Sequence, residues 1–256
     1  MLLSPLALAA GTTPTRYGEV VFWRGEVGTQ AFVTGRAAFG RVAPGAAKPA
    51  LGQCELSSGP LVSPEIDAEA FGQEAGMQGQ EAPISAGASL SVLDGARTVL
   101  TLDPSGPGYQ LEGGPSELLR RVGGVAGPLP GGAVLKVPGQ SGDFGFPALS
   151  VPVPQAPLFV WQTTGPVTPS QVLRWSGASR VTAAQVKVLL RQGEGERARN
   201  VICTAPDTGS FALPEAVRRE LSGPLKVIGA FRTVQTVIRK GDAELRVVLE
   251  EGGLLE

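Results

Sequence analysis

The groups in this chain that could do chemistry are 23 carboxylates, two cysteines and 14 aromatic rings, and histidine is absent altogether. That absence removes several mechanisms together. Ser-His-Asp and Cys-His nucleophile systems need an imidazole that changes charge near neutral pH. Histidine-based zinc, copper and non-haem iron sites go with them. Two cysteines cannot supply a four-cysteine site or hold an iron–sulfur cluster alone. A pair of carboxylates can still hydrolyse a glycosidic bond without histidine. Most carboxylates here, however, lie in loops or on alternating polar faces, and no two stand out as a pair. The expectation is a protein without catalytic residues, metal or cofactor, with a carboxylate-dependent glycoside hydrolase as the distant rival.

Flat rings can stack on sugar faces, so solvent-facing tryptophans would mark a carbohydrate site. Trp23 beside Phe22 and Trp161 close to Phe159 are the possible ligand-facing aromatics. Core packing competes for both, because such rings bury large apolar areas. Leu173 and Trp175 share a strand face, which makes Trp175 the expected core tryptophan. No phosphate-binding loop, nucleophile elbow or CxxC occurs, and the glycine pairs Gly113-Gly114 and Gly131-Gly132 read as turns. Lys240-Gly241-Asp242 resembles an adhesive tripeptide, but at a hairpin tip turn geometry explains the Gly-Asp without any receptor, and the adhesive reading is discounted.

Cys54 and Cys203 are far apart in sequence. A disulfide between them would close a very long loop, worth roughly 4–5 kcal/mol in the chain-entropy model. As free thiols they would pack as small hydrophobes on strands. Spacing leaves both readings open, and the strand-like surroundings of each lean towards unpaired thiols.

A formal net charge of −1 and the lack of any basic block argue against nucleic acid as a partner. The densest cationic stretch, Arg191 to Arg199, carries Glu194 and Glu196 within it and reads as a solvated hairpin loop. Glycine (36) and proline (22) are spread between short runs of β-formers, the punctuation of many strands joined by turns. The expected fold is therefore all-β: two antiparallel β-sandwich-like domains, 11–153 and 154–256. The second should be immunoglobulin-like, with about seven strands.

Strands are expected at 18–27, 30–42, 109–112, 133–137 and 144–153 in the first domain. The clearest hairpin runs from 88 to 102 around Asp94-Gly95. Short helices at 63–71 and 116–122 are possible readings. The prolines of Val151-Pro152-Val153-Pro154-Gln155-Ala156-Pro157 mark the boundary, since they stiffen the chain and cannot pair centrally. Beyond it come 158–164, 171–176, 182–192, 198–204, 210–213, 225–232, 233–240 and 243–250, the last two joined by Gly241-Asp242. Within 182–192, Val186, Val188 and Leu190 form a dry face, and Gln185, Lys187, Leu189 and Arg191 a mostly wet one.

Met1 to Ala10 is apolar and ends in the small-x-small pattern Ala7-Leu8-Ala9, like the tail of a secretory signal peptide. No other run is long enough to form a membrane-spanning helix. Leu173-Arg174-Trp175-Ser176-Gly177, Val201-Ile202-Cys203 and Asp207-Thr208-Gly209-Ser210-Phe211-Ala212-Leu213-Pro214 are the second domain's most distinctive segments. They are preceded by Gly142-Asp143-Phe144-Gly145-Phe146-Pro147-Ala148-Leu149. This pattern, over about the last 115 residues, resembles exported β-sandwich proteins of uncharacterised function from Gram-negative bacteria. The resemblance implies an extracytoplasmic β-sandwich and supplies no ligand residues. The expected role is a periplasmic or extracellular binding or structural protein with a protein or polysaccharide partner. A carbohydrate-binding module or a subunit of a surface assembly are the alternatives.

Overall fold

The computed structural model describes residues 14–27, 30–41, 51–59, 83–106, 108–111, 129–143, 145–179 and 184–254. The signal-like segment 1–10 and the two candidate helices at 63–71 and 116–122 lie outside these residues. The described residues contain β1 (Arg16–Val27), β2 (Gln30–Gly40), β3 (Gln53–Ser58), β4 (Leu90–Asp94), β5 (Arg97–Ser105) and β6 (Gly108–Leu111). These are followed by β7 (Val134–Val137), β8 (Leu149–Pro152), β9 (Val160–Trp161), β10 (Val172–Ser176), β11 (Gln185–Gln192) and β12 (Arg199–Pro206). Then come β13 (Ser210–Ala212), a short helix α1 (Glu215–Glu220), β14 (Lys226–Lys240) and β15 (Ala243–Leu254). The protein is mostly β, as expected. The short α1 was not anticipated.

Twelve strands form one sheet in the order β3-β12-β11-β14-β15-β1-β2-β6-β5-β4-β7-β8, and three form a second in the order β13-β10-β9. All pairs are antiparallel except β1 with β15, which run parallel from Arg16 opposite Ala243 to Arg24 opposite Glu251. The large sheet is therefore mixed, where antiparallel pairing throughout was expected. The parallel pair joins strands from opposite ends of the chain, a contact that no local pattern announces. The runs expected as separate strands, 225–232 and 233–240, are one 15-residue strand, β14. No turn residue stands between Arg232 and Thr233 to break it. Its turn into β15 is the expected one, with Lys240 opposite Ala243 and Gly241 at φ +60°. The 88–102 hairpin also forms, but Asp94 pairs with Arg97, so Gly95-Ala96 is the turn.

Two cores lie on one face of the large sheet. The first draws Val20 and Phe22 from β1, Phe39 from β2, Leu90 and Val92 from β4, Leu102 from β5, Leu135 from β7, Val151 from β8, and Leu245, Val247 and Leu249 from β15. Eight strands laid flat at about 4.8 Å spacing would span about 34 Å. A sheet that wide shares one cluster only by curling, and the contacts show that it does. Lys240 Nζ, at the β14–β15 turn, donates to Ala148 O beside β8 at 2.9 Å, and Arg16 Nη1 reaches Gly145 O at 2.8 Å. In the second core, Val186, Val188 and Leu190 of β11 and Val201, Cys203 and Ala205 of β12 face Leu173 and Trp175 of β10. There the small sheet covers the large one. Leu189, read as part of the wet face, is buried as well.

Cys54 and Cys203 are paired, with Cα atoms 4.0 Å apart, directly opposite each other on β3 and β12. This corrects the leaning towards free thiols. The pairing brings together two residues 149 apart in sequence and could not be read from either neighbourhood. β3 is an edge strand exposed along most of its length, so the bond holds what little apolar burial cannot. Removing it with Cys54→Ser and Cys203→Ser together is expected to cost up to about 5 kcal/mol, the chain-entropy value for so long a loop. Urea unfolding of this variant should match that of the wild-type protein in reductant. Equal midpoints for oxidised wild type and variant would show that the bond contributes nothing.

Candidate functional site

On β1, β14 and β15 the dry parity is interrupted at one level by charge. Val20 and Phe22 are followed on that face by Arg24, Val247 and Leu249 by Glu251, and Ala230 by Arg232 and Val234. The register places Arg24 opposite Glu251, and Glu251 opposite Arg232. A row Arg–Glu–Arg thus crosses three adjacent strands between the two cores. Glu251 is 2% exposed and Arg232 fully buried. Arg232 Nε donates to Glu251 Oε2 at 2.8 Å, and Arg24 Nη2 pairs with Glu251 Oε1. Burial pulls the Arg232 guanidinium down to about 10, against the opposing pull of Asp207.

The row also binds the proline-rich segment that follows β8. Arg24 Nη2 lies 3.2 Å from Ala156 O and 3.3 Å from Pro157 O, and Arg232 Nη2 donates to Pro157 O. Prolines cannot donate to a ladder, so the carbonyls of this partly buried segment take their hydrogen bonds from side chains. The two arginines supply them. Arg232 Nη1 also donates to Gly177 O and lies 3.5 Å from Asp207 Oδ2. At Gly177, φ is +73° and an added Cβ would collide with Leu158 O, so a side chain there would push the segment off the row.

Asp207 ties this cluster to the aromatic residues. It accepts from Trp175 Nε1 and from the Ser179 backbone N–H, both at 2.6 Å. Trp175, the expected core tryptophan, is 3% exposed. Trp161 sits directly opposite it on β9 and stacks on it, with centroids 6.1 Å apart and planes 9° from parallel. Arg232 lies over the Phe159 ring, 5.5 Å from its centroid. Trp161 is half-buried against the second core. Trp23 is also half-buried, but on the opposite face of β1 from Phe22 and Arg24, beside Thr34 and Glu250. The two tryptophans singled out from sequence therefore lie on opposite sides of the large sheet and do not form one platform.

The tripeptide at 240–242 is committed to structure. Asp242 pairs with Arg16 and accepts from Thr15 Oγ1 at 2.7 Å, while Lys240 holds Ala148 O. Beside that turn lies a groove of about 580 Å³ on the solvent face of β4, β7 and β8, with Ser89, Ser91, Lys136, Ser150 and Lys240 among its lining residues. Among the described residues no cluster of cysteine and carboxylate side chains is grouped as a metal ion would need, and no helix is long and apolar enough to cross a membrane. No protein-family model, curated protein or solved structure matches this chain.

Sequence reasoning missed Arg24, Arg232, Glu251 and the groove. For the first three a signal existed: a charge on the dry parity of an otherwise alternating strand. For the groove there was none, because its residues come from separated segments.

The buried row and the β14–β15 turn can each be tested by one substitution. Glu251→Gln leaves two buried guanidiniums without their shared carboxylate and is expected to destabilise the protein by about 3–5 kcal/mol in urea unfolding. A loss below about 1 kcal/mol, on the same scale, would mean the row does not hold the centre together. Asp242, held by Arg16 first and Thr15 second, titrates at about 2 in place of 3.8. A depressed carboxylate stabilises above its unfolded value and loses that contribution as pH falls through the folded one. Asp242→Asn should therefore melt below wild type at pH 7, with the gap closing between about pH 4 and pH 2.

Proposed function

We propose that this protein is a non-enzymatic binding protein of the periplasm or cell exterior. The supporting observation is the Cys54–Cys203 bond, which fastens an edge strand with little apolar anchorage of its own. Such bonds persist in oxidising compartments and are rare in a reducing cytosol. In the finer reading, 154–256 is an immunoglobulin-like sandwich of about seven strands that takes β3 from the segment 11–153. This agrees with the layering of β3-β12-β11-β14 against β13-β10-β9. Its partner is a polysaccharide or a protein, met at the surface of the large sheet.

A second reading, a subunit of a surface assembly, draws on Leu158 and Val160, 52% and 45% exposed at the edge strand β9. Exposed apolar edges are templates for pairing with another chain. Two measurements decide between them. Fractionation of source cells with thiol alkylation should recover the protein in the envelope or medium with both cysteines oxidised, and recovery as a cytoplasmic dithiol would refute the extracytoplasmic reading. Light scattering after size exclusion should give a monomer for the binding protein, whereas mass growing with concentration would favour the assembly.

A further inference from the structure

We propose that the groove between β4, β8 and the β14–β15 turn binds the oxyanion of an anionic saccharide, Lys136 taking the negative charge and serine hydroxyls the neighbouring sugar hydroxyls. This rests on the binding-protein reading and names its ligand class.

The cross-strand register builds the floor. Ser91 lies opposite both Thr101 on β5 and Lys136 on β7, and Lys136 lies opposite Ser150 on β8. One row thus runs Thr–Ser–Lys–Ser across four strands. The next residues along β4, β7 and β8, Val92, Leu135 and Val151, are fully buried. Period-two alternation therefore turns the whole polar row outward. Neighbours in such a row stand about 4.8 Å apart, a spacing that lets one small polar ligand touch two or three of them.

The donors are available. Among the described residues, the side chains of Ser91, Lys136 and Ser150 make no hydrogen bond, whereas Ser89 Oγ donates to Asp103 Oδ1 at 2.7 Å. That bond commits the Ser89 proton and leaves its oxygen as an acceptor at the groove wall. Lys240 arches in from the β14–β15 turn, anchored on Ala148 O, and an ammonium has further protons to give. No described lining residue is a carboxylate, and Asp103, which accepts from Ser89 at the groove edge, offsets only one of the two ammonium charges around a volume of about 580 Å³. That volume lies in the usual range for small-ligand sites, about 300–1,000 Å³.

The lining selects among anions. Five of its ten described lining residues, Leu93, Val137, Pro138, Ala148 and Leu149, are apolar, and they offer a surface for the C–H face of a sugar ring beside the polar row. Two lysines are few for a nucleic-acid track, which needs many phosphate contacts. Hydroxyls flanking a point charge instead suit a sugar that carries a carboxylate or sulfate between its own hydroxyls.

The test is titration calorimetry of the full chain at low salt with trigalacturonate and with a heparin-derived tetrasaccharide, so that carboxylate and sulfate sources are separated. Maltotriose and inorganic phosphate serve as comparators. The expected result is binding of at least one charged saccharide, tighter than phosphate and absent for maltotriose, weakened at least tenfold by Lys136→Gln. Lys226→Gln, at the far end of β14 from Lys240, should leave the affinity unchanged. Lys136 makes no bond within the described residues, so its variant should fold, and an unchanged melting temperature verifies that. Failure of both charged saccharides to bind, equal binding of maltotriose, phosphate binding as tight as the saccharide, or equal affinity in Lys136→Gln would each overturn the proposal. A duplex DNA oligomer competing at equal affinity would overturn it as well. Cell fractionation is read independently: a cytoplasmic protein that still binds trigalacturonate through Lys136 retains this site and loses only the compartment.

Discussion

The Arg24–Glu251–Arg232 row is the constraint on which the rest of the structure depends. It lies where the parallel pair β1–β15 meets β14, at the seam between two apolar cores on one sheet face. A buried ionic row contributes little net stability, because desolvation offsets most of the attraction. It is nevertheless intolerant of error. A one-residue slip of β15 would turn Glu251 to the other face and put Gly252 or Glu250 in its place, and in either direction Glu244 and Arg246 would replace Leu245 and Val247 on the dry face. The row and the apolar parity beside it together set the register of the strands that join the two ends of the chain. The same two arginines hold the carbonyls of Ala156 and Pro157, so the connection between the two halves is bound to the sheet along this seam.

From that seam each half is organised differently. On one side the sheet curls to cover its own apolar face, and the β14–β15 turn reaches the β8 side through Lys240, while Arg16 at the start of β1 reaches the same side through Gly145. On the other side a separate small sheet is the cover, with Trp175 linked through Asp207 to the buried row. The disulfide acts at the outer limit of this second half, where β3 contributes little more than Cys54 to the core. Covalent attachment there replaces apolar burial, a common solution where a strand has few buried side chains to hold it.

The solvent-facing features follow from the same geometry. Curling of the first half brings a lysine from the end of β14 beside a serine–lysine row on β4, β7 and β8. The proposed anion groove is thus a product of closure, since no single segment holds its residues together. Trp161, in contrast, is half withdrawn into the second core by stacking on Trp175, and Trp23 is carried on the other face of the sheet.

Local pattern determined the strands. Alternation, β-branched runs and glycine turns located most of the elements, the dry face of β11 and the buried Trp175. These are properties of neighbours in sequence, and short-range sterics and burial decide them. Only the tertiary structure decided the Cys54–Cys203 bond, the parallel β1–β15 pair, the fusion of two expected strands into β14 and the joining of Ser91, Lys136, Ser150 and Lys240. Each of these depends on which distant segments lie side by side. That choice is made by the burial of whole faces and the pairing of buried charges; parity in the chain marks which residues turn inward, but not which distant segment each of them meets.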